Sequence, residues 1–220
     1  MKALYLYPLW VRIWHWSNAV LFLLLILSGA SLHFAGGAWL LPFEAAVTLH
    51  NGSGILLTLG WVVFLLGNLF TDHGRFYRVR FAELPGALRR QVGWYAVGLF
   101  RGDPHPFHPS ADDKLNALQK LTYLGLMLAL MPLLIGSGWI FLFAGGLPST
   151  LLGLPSLWAV AGLHLTLAWA AVLFLVVHVY VITIGDSPWT NLRAMWTGWH
   201  RPEPKTPPPG NEPGSEASAS

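Results

Sequence analysis

The sequence predicts an all-α integral membrane protein, a four-helix bundle with both termini in the cytoplasm, and three observations carry that prediction. Of 220 residues, 54% are hydrophobic and only 10% are charged, against roughly 25% charged residues in soluble domains. Charge is absent from Ile13 to Phe43, from Ala45 to Thr71 and from Leu121 to Gly185, stretches of 31, 27 and 65 residues. The third stretch is long enough for two spans of about 20 residues each, and the Gly- and Pro-rich run Ala144 to Ser156 parts them. Finally, four crossings put all 13 Lys and Arg residues on one side: two before the first span, eight between the second and third, and three after the fourth. The positive-inside rule makes that side the cytoplasm. Three or five spans would divide the basic segments between opposite faces.

The expected spans are about 13–34, 45–70, 115–143 and 157–184. The first is an uncleaved helix, because its uncharged run outlasts the 7 to 15 residues of a signal-peptide core. Trp10, Trp14, Trp16, Trp189, Trp196 and Trp199 crowd the inner boundary, while Trp39, Trp139 and Trp158 mark the outer one, as an aromatic belt does. Between the second and third spans, Leu84, Leu88, Val92, Tyr95 and Leu99 recur at helical spacing beside Arg89 and Arg90. That pattern predicts an amphipathic helix in the inner interface. Residues 1–200 form the membrane domain, and the polar, Pro-rich segment 201–220 is a disordered tail.

The chain has no cysteine. Disulfides, Cys-ligated iron-sulfur clusters or zinc, and covalent c-type haem attachment are therefore excluded within it. The net charge of +3 is no sign of nucleic-acid binding, because the basic residues do not form a stripe on a soluble face.

Nine histidines are present, and four lie inside the expected spans, where an ionisable side chain is costly and marks function. The threading sorts His15, His50, His164 and His178 by depth. His50 and His164 fall at the outer level, His15 and His178 at the inner one. His164 and His178 are 14 residues apart, about 40° short of four turns, so they share a helix face with an axial separation of about 21 Å. Imidazoles from facing helices are an axial pair for haem, and two levels predict two b-type haems with bis-histidine iron. The levels are too far apart for one four-histidine metal site. Gly54, Ala168 and Ala171 supply small residues on the ligand faces, and Arg12, one turn before His15, can reach an inner haem propionate. No Lys or Arg stands at the outer level, where neutral donors such as Asn51, Ser53 or an indole N–H must serve. His33, about five turns from His15 on the same face, is an alternative to His50 as outer ligand.

The runs RIWHWSNAVLFLLLILSG around His15, LHNGSG around His50 and KLNALQKLTY at the head of the third span, with the His164 and His178 pair, resemble one family. It is that of the membrane cytochrome b subunits of the formate dehydrogenase gamma and thiosulfate reductase type, cytochrome b561-like and related to hydrogenase b-type cytochromes. The resemblance covers about residues 5 to 200, and YPLWVRIWHW and DPHPFHPS lean towards the thiosulfate reductase side. It implies four helices, two b haems on His15, His50, His164 and His178, and a quinone site at the inner haem. There the family's asparagine corresponds to Asn116, with Gln119 and Lys120 beside it.

The function so expected is an electron-transfer subunit of the bacterial cytoplasmic membrane, without substrate chemistry of its own. It anchors a catalytic, iron-sulfur or c-type cytochrome subunit of an oxidoreductase and links it to the quinone pool. The alternative is a non-redox channel, transporter or assembly factor using buried histidines as a proton relay. That reading leaves the pairing of the histidines by depth unexplained.

Overall fold

Prolines open three of the four long helices. Pro8, Pro42 and Pro155 each hold an extended conformation (φ −62°, −57° and −54°) immediately before a helix begins, as the fixed φ of proline allows. The computed structural model describes residues 3–34, 40–107, 110, 113–151, 153–184 and 188–200. Trp39 of the expected outer belt, His108 and the tail 201–220 lie outside these.

The helices are α1 (Leu9–His33), α2 (Phe43–Phe70), α3 (Leu84–Gly93), α4 (Ala117–Leu142), α5 (Ser156–Ile182) and α6 (Thr190–Thr197). α1, α2, α4 and α5 are long and apolar enough to cross a membrane. α1 starts before Ile13, the first residue of its uncharged stretch, and carries Arg12 in its opening turn. The chain is therefore already helical before the uncharged stretch begins. α3 continues through a π-helical turn (Trp94–Gly98) to Arg101. Leu84, Leu88, Tyr95 and Leu99 on it are half-buried, whereas Val92, Arg89 and Arg90 are exposed.

α1 packs along α2, α4 along α5, and α2 meets α4. Leu57, Leu126 and Met131 form the apolar centre, flanked by Phe22, Leu25 and Phe174. Elsewhere the usual polarity is inverted: Ser28, Ser31, Ser53 and Ser137 are buried, while Leu23, Leu59, Leu69 and Leu173 are exposed. Small hydroxyl residues let membrane helices approach, and apolar side chains suit lipid. At mid-membrane α4 widens into a π-helical stretch, Leu126–Leu130, just ahead of Pro132. Proline lacks an N–H and crowds the carbonyl four residues earlier, and the wider turn relieves both. The indole of Trp61 donates to the Met127 carbonyl in that turn at 2.9 Å.

The two ends of the described chain meet at one end of the bundle, as four crossings require. There β1 (Leu4–Tyr5) pairs antiparallel with β4 (Trp199–His200). At the opposite end, β2 (Thr150–Leu151) and β3 (Leu154–Pro155) form a short hairpin between α4 and α5. Gly198 makes the terminal junction possible: its φ is +88°, and its carbonyl accepts from the backbone of Leu6 at 2.8 Å. A Cβ there would stand 2.7 Å from the Tyr5 ring, so no other residue fits.

Below α2, a short 3₁₀ turn (Asp72–Tyr77) places His73 against Trp10 and Tyr77. His73 Nδ1 lies 3.1 Å from Asn68 Oδ1. The amide oxygen can only accept, so Nδ1 carries the hydrogen. Burial first, and the nearby Lys114 second, push the ring's pKa down from 6.5 to about 4. A depressed histidine pKa means that the neutral ring stabilises the fold fully above pH 6.5 and that this contribution is lost as pH falls towards 4. His73→Gln keeps a donor for Asn68 and removes the titration. Thermal unfolding in detergent should therefore decline less steeply in this variant than in the wild type between about pH 6.5 and pH 4.

Candidate cofactor site

The four intramembrane histidines come together in two pairs, by depth. His15 of α1 faces His178 of α5, with ring centroids 6.2 Å apart and planes at 52°. His50 of α2 faces His164 of α5, also at 6.2 Å, with planes at 76°. Two metal–nitrogen bonds of about 2 Å and two ring radii of about 1 Å sum to roughly 6 Å, so either gap suits one ion ligated from both sides. Among the described residues, no three His, Asp or Glu side chains converge on a metal position. Each pair can therefore give an ion only two of its ligands, which is what a macrocycle supplying the other four requires.

The outer pair sits in two seats built alike. In α1, Ser28 is fully buried and donates its hydroxyl hydrogen to the Leu24 carbonyl at 2.6 Å. Its oxygen lies 3.0 Å from His50 Nδ1, and the Leu25 carbonyl also bonds that ring. In α4, Ser137 is buried, donates to the Leu134 carbonyl at 2.9 Å and lies 2.9 Å from His164 Nδ1. The Leu134 carbonyl bonds the His164 ring as well. Each serine has given its hydrogen away and each carbonyl can only accept, so Nδ1 of both histidines carries hydrogen and Nε2 carries the lone pair. The residue after each serine is glycine, and a Cβ on Gly29 or Gly138 would stand 3.3 Å from Cε1 of His50 or His164. The rings rest against bare backbone.

These contacts were not foreseen. At Gly54, expected to lie on the ligand face, an added Cβ would meet no atom within 4 Å, which leaves the space on its side of α2 open. Ala171 is buried, but Gly29 and Gly138 touch the rings. A signal was present in the repeat Leu25-Ile26-Leu27-Ser28-Gly29 and Leu134-Ile135-Gly136-Ser137-Gly138, once on each helix that faces an outer ligand. His33 is exposed, its ring against Phe34. The imidazole opposite His164 is that of His50.

At the inner pair the surroundings differ. His15 Nδ1, Trp16 Nε1 and Arg12 Nε are buried without a hydrogen-bond partner, three polar atoms within about one turn of α1. Arg12 is otherwise held by the Trp196 carbonyl, which accepts from its Nη2 at 2.5 Å. Arg12 Nε and Trp16 Nε1 can only donate; unpartnered buried donors are expensive, and haem propionates are the kind of acceptor these two lack.

The polar triplet at the head of α4 has structural work. Asn116 Oδ1 accepts from the Gln119 backbone at 2.8 Å and Gln119 Oε1 accepts from the Asn116 backbone at 3.0 Å, a reciprocal capping box. Lys120 pairs with Asp113 at 2.8 Å. The Asn116 side chain and Gln91 of α3 also lie near the Tyr95 hydroxyl. Asn116 is buried.

Residues 6–198 match the family described as prokaryotic cytochrome b561. The chain belongs to that family. It is also 36% identical over 201 residues to the putative cytochrome YdhU of Escherichia coli (strain K12), an alignment covering 91% of this chain and 76% of the relative. Membership makes this a multi-pass membrane cytochrome with b-type haem, suited to electron transfer across the membrane.

The glycine seats are testable on this footing. Gly29→Val and Gly138→Val add side chains where a Cβ alone already meets a ring at 3.3 Å, an overpacking that costs about 1–3 kcal/mol. Both should lower the haem recovered per protein in a pyridine haemochrome assay. Gly145→Val, at a site where a Cβ meets nothing within 4 Å, should leave it unchanged.

Proposed function

We propose that the chain holds two b-type haems, one between His50 and His164 and one between His15 and His178, and passes electrons through them between the quinone pool and a partner oxidoreductase. The observation that carries this reading is the equal 6.2 Å separation of the two imidazole pairs. The haem iron supplies one-electron redox chemistry when bound. The protein supplies ligation, depth and surroundings. α5 contributes one ligand to each level and so sets the interval between them, about 21 Å along the axis for 14 residues. The apolar packing of Leu57, Leu126 and Met131 keeps water from mid-membrane.

At the inner level, Arg12 Nε and Trp16 Nε1 are donors available to propionates. Quinone reacts at this level too, where the buried amides of Asn116 and Gln91 meet the Tyr95 hydroxyl, with Gln119 and Lys120 on the next turn. The other end carries little charge, with Glu44 alone between His33 and Leu49 and none from Ala144 to Ser156. It suits docking of a thiosulfate reductase-like or formate dehydrogenase-like partner, with an iron-sulfur or c-type cytochrome subunit next to the outer haem. The membrane is the bacterial cytoplasmic one, with the basic segments inside.

Haem stoichiometry on four variants tests the ligand pairs. His50→Ala and His164→Ala should each lose the same one of two haems, and His15→Ala and His178→Ala the other. Equal loss of both haems in all four would refute the pairing, and an air-oxidised and dithionite-reduced wild type without haem bands would refute the whole reading.

Asn116 separates cap from quinone site. Asn116→Ala removes the cap at a cost of about 1 kcal/mol, whereas Asn116→Asp keeps an equally good capping oxygen and loses the amide hydrogens. Quinol-driven haem reduction should fall at least tenfold in both, with the haem spectra retained. Normal reduction by quinol in Asn116→Asp would leave the residue with a capping role alone.

A further inference from the structure

The repeated Ser-Gly seat has a consequence for the redox properties of one haem, and it rests on the ligand pairs proposed above. We infer that Ser28 and Ser137 are positioning residues that hold the two outer ligands in one tautomer and lower the potential of the outer haem, leaving the inner haem untouched. In each seat the serine hydroxyl hydrogen is committed to a backbone carbonyl of its own helix. The oxygen therefore faces the neighbouring histidine as an acceptor, at 3.0 Å for His50 and 2.9 Å for His164. Both serines are buried, at 0% and 2% exposure, so water does not compete for either bond.

An acceptor on the Nδ1 hydrogen raises the electron density that Nε2 offers a metal, and fixes the plane of the ring. A more basic ligand favours the ferric over the ferrous state, because the higher charge gains more from it. Both ligands of the outer pair receive this push. At the inner pair, His15 Nδ1 is buried with no partner. The two levels thus differ in ligand basicity although all four ligands are histidine. The adjacent glycines let each ring approach closely enough for the bond to form.

Potentiometric titration of the full-length protein in detergent tests this on Ser28→Ala, Ser137→Ala and Ser31→Ala. Ser31 is an internal control. It is equally buried on α1, and its hydroxyl donates to the Leu27 carbonyl at 2.9 Å. Ser28→Ala and Ser137→Ala should each move one midpoint potential to more positive values. The component that moves should be the one missing in His50→Ala, with the second component in place and the low-spin ferric electron paramagnetic resonance signal of the moved haem altered. Loss of that haem alone would also support the seat. Unchanged potentials, equal shifts of both haems, a matching shift in Ser31→Ala, or loss of both haems in both variants would overturn it. A wild type with two haems indifferent to the serines sinks this inference alone; a wild type without haem sinks the ligand assignment beneath it.

Discussion

A neutral imidazole inside a bilayer has one donor and one acceptor to satisfy and no water to satisfy them. That constraint organises the bundle. At the outer level it is met by the facing helix, through a buried serine and a backbone carbonyl on each Nδ1. Meeting it leaves both Nε2 lone pairs unused, and only a metal or a donor can use them. The arrangement that makes histidine tolerable in the membrane thus also leaves it free to act as a ligand.

The same constraint explains why interior and exterior exchange character. Ser28, Ser31 and Ser137 are buried because each can bond a carbonyl of its own helix and still leave a compact surface. Leucine fills the opposite faces, where lipid replaces water and no burial is needed. Apolar packing is concentrated at mid-depth, around Leu57, Leu126 and Met131. There the π-helical stretch before Pro132 accepts a hydrogen bond from Trp61 and ties α2 to α4.

The two levels are unequal. The outer one is supported by hydrogen bonds among uncharged groups. The inner one has Arg12, held by the Trp196 carbonyl of α6, and a set of buried donors awaiting an acceptor. It also lies at the end where the chain termini, α3 and the capping box at Asn116 meet. Two pairs of chemically identical histidines therefore stand in different surroundings.

The number of helices able to span a membrane and the pairing of the four histidines were legible in the sequence. Both depend on one-dimensional quantities, the length of an uncharged run and the residues between two positions on a helix. His164 and His178 share a face because 14 residues nearly complete four turns, whatever surrounds them. The helix starts were less legible, since α1 is helical at Arg12 while the charge pattern registers only the lipid boundary. Which small residues touch a ligand was decided by the tertiary structure alone. Gly54 is close to His50 in sequence, yet Gly29 and Gly138 meet the outer rings, because contact across a bundle depends on the rotation of the neighbouring helix. The tautomers were decided there as well, by serines 22 and 27 residues away in the chain from the histidines they bond. The sequence by itself determined four apolar spans and two levels of paired histidines; folding determined which helices face one another and hence which atoms satisfy each imidazole, because hydrogen bonds between helices depend on packing that no periodicity encodes.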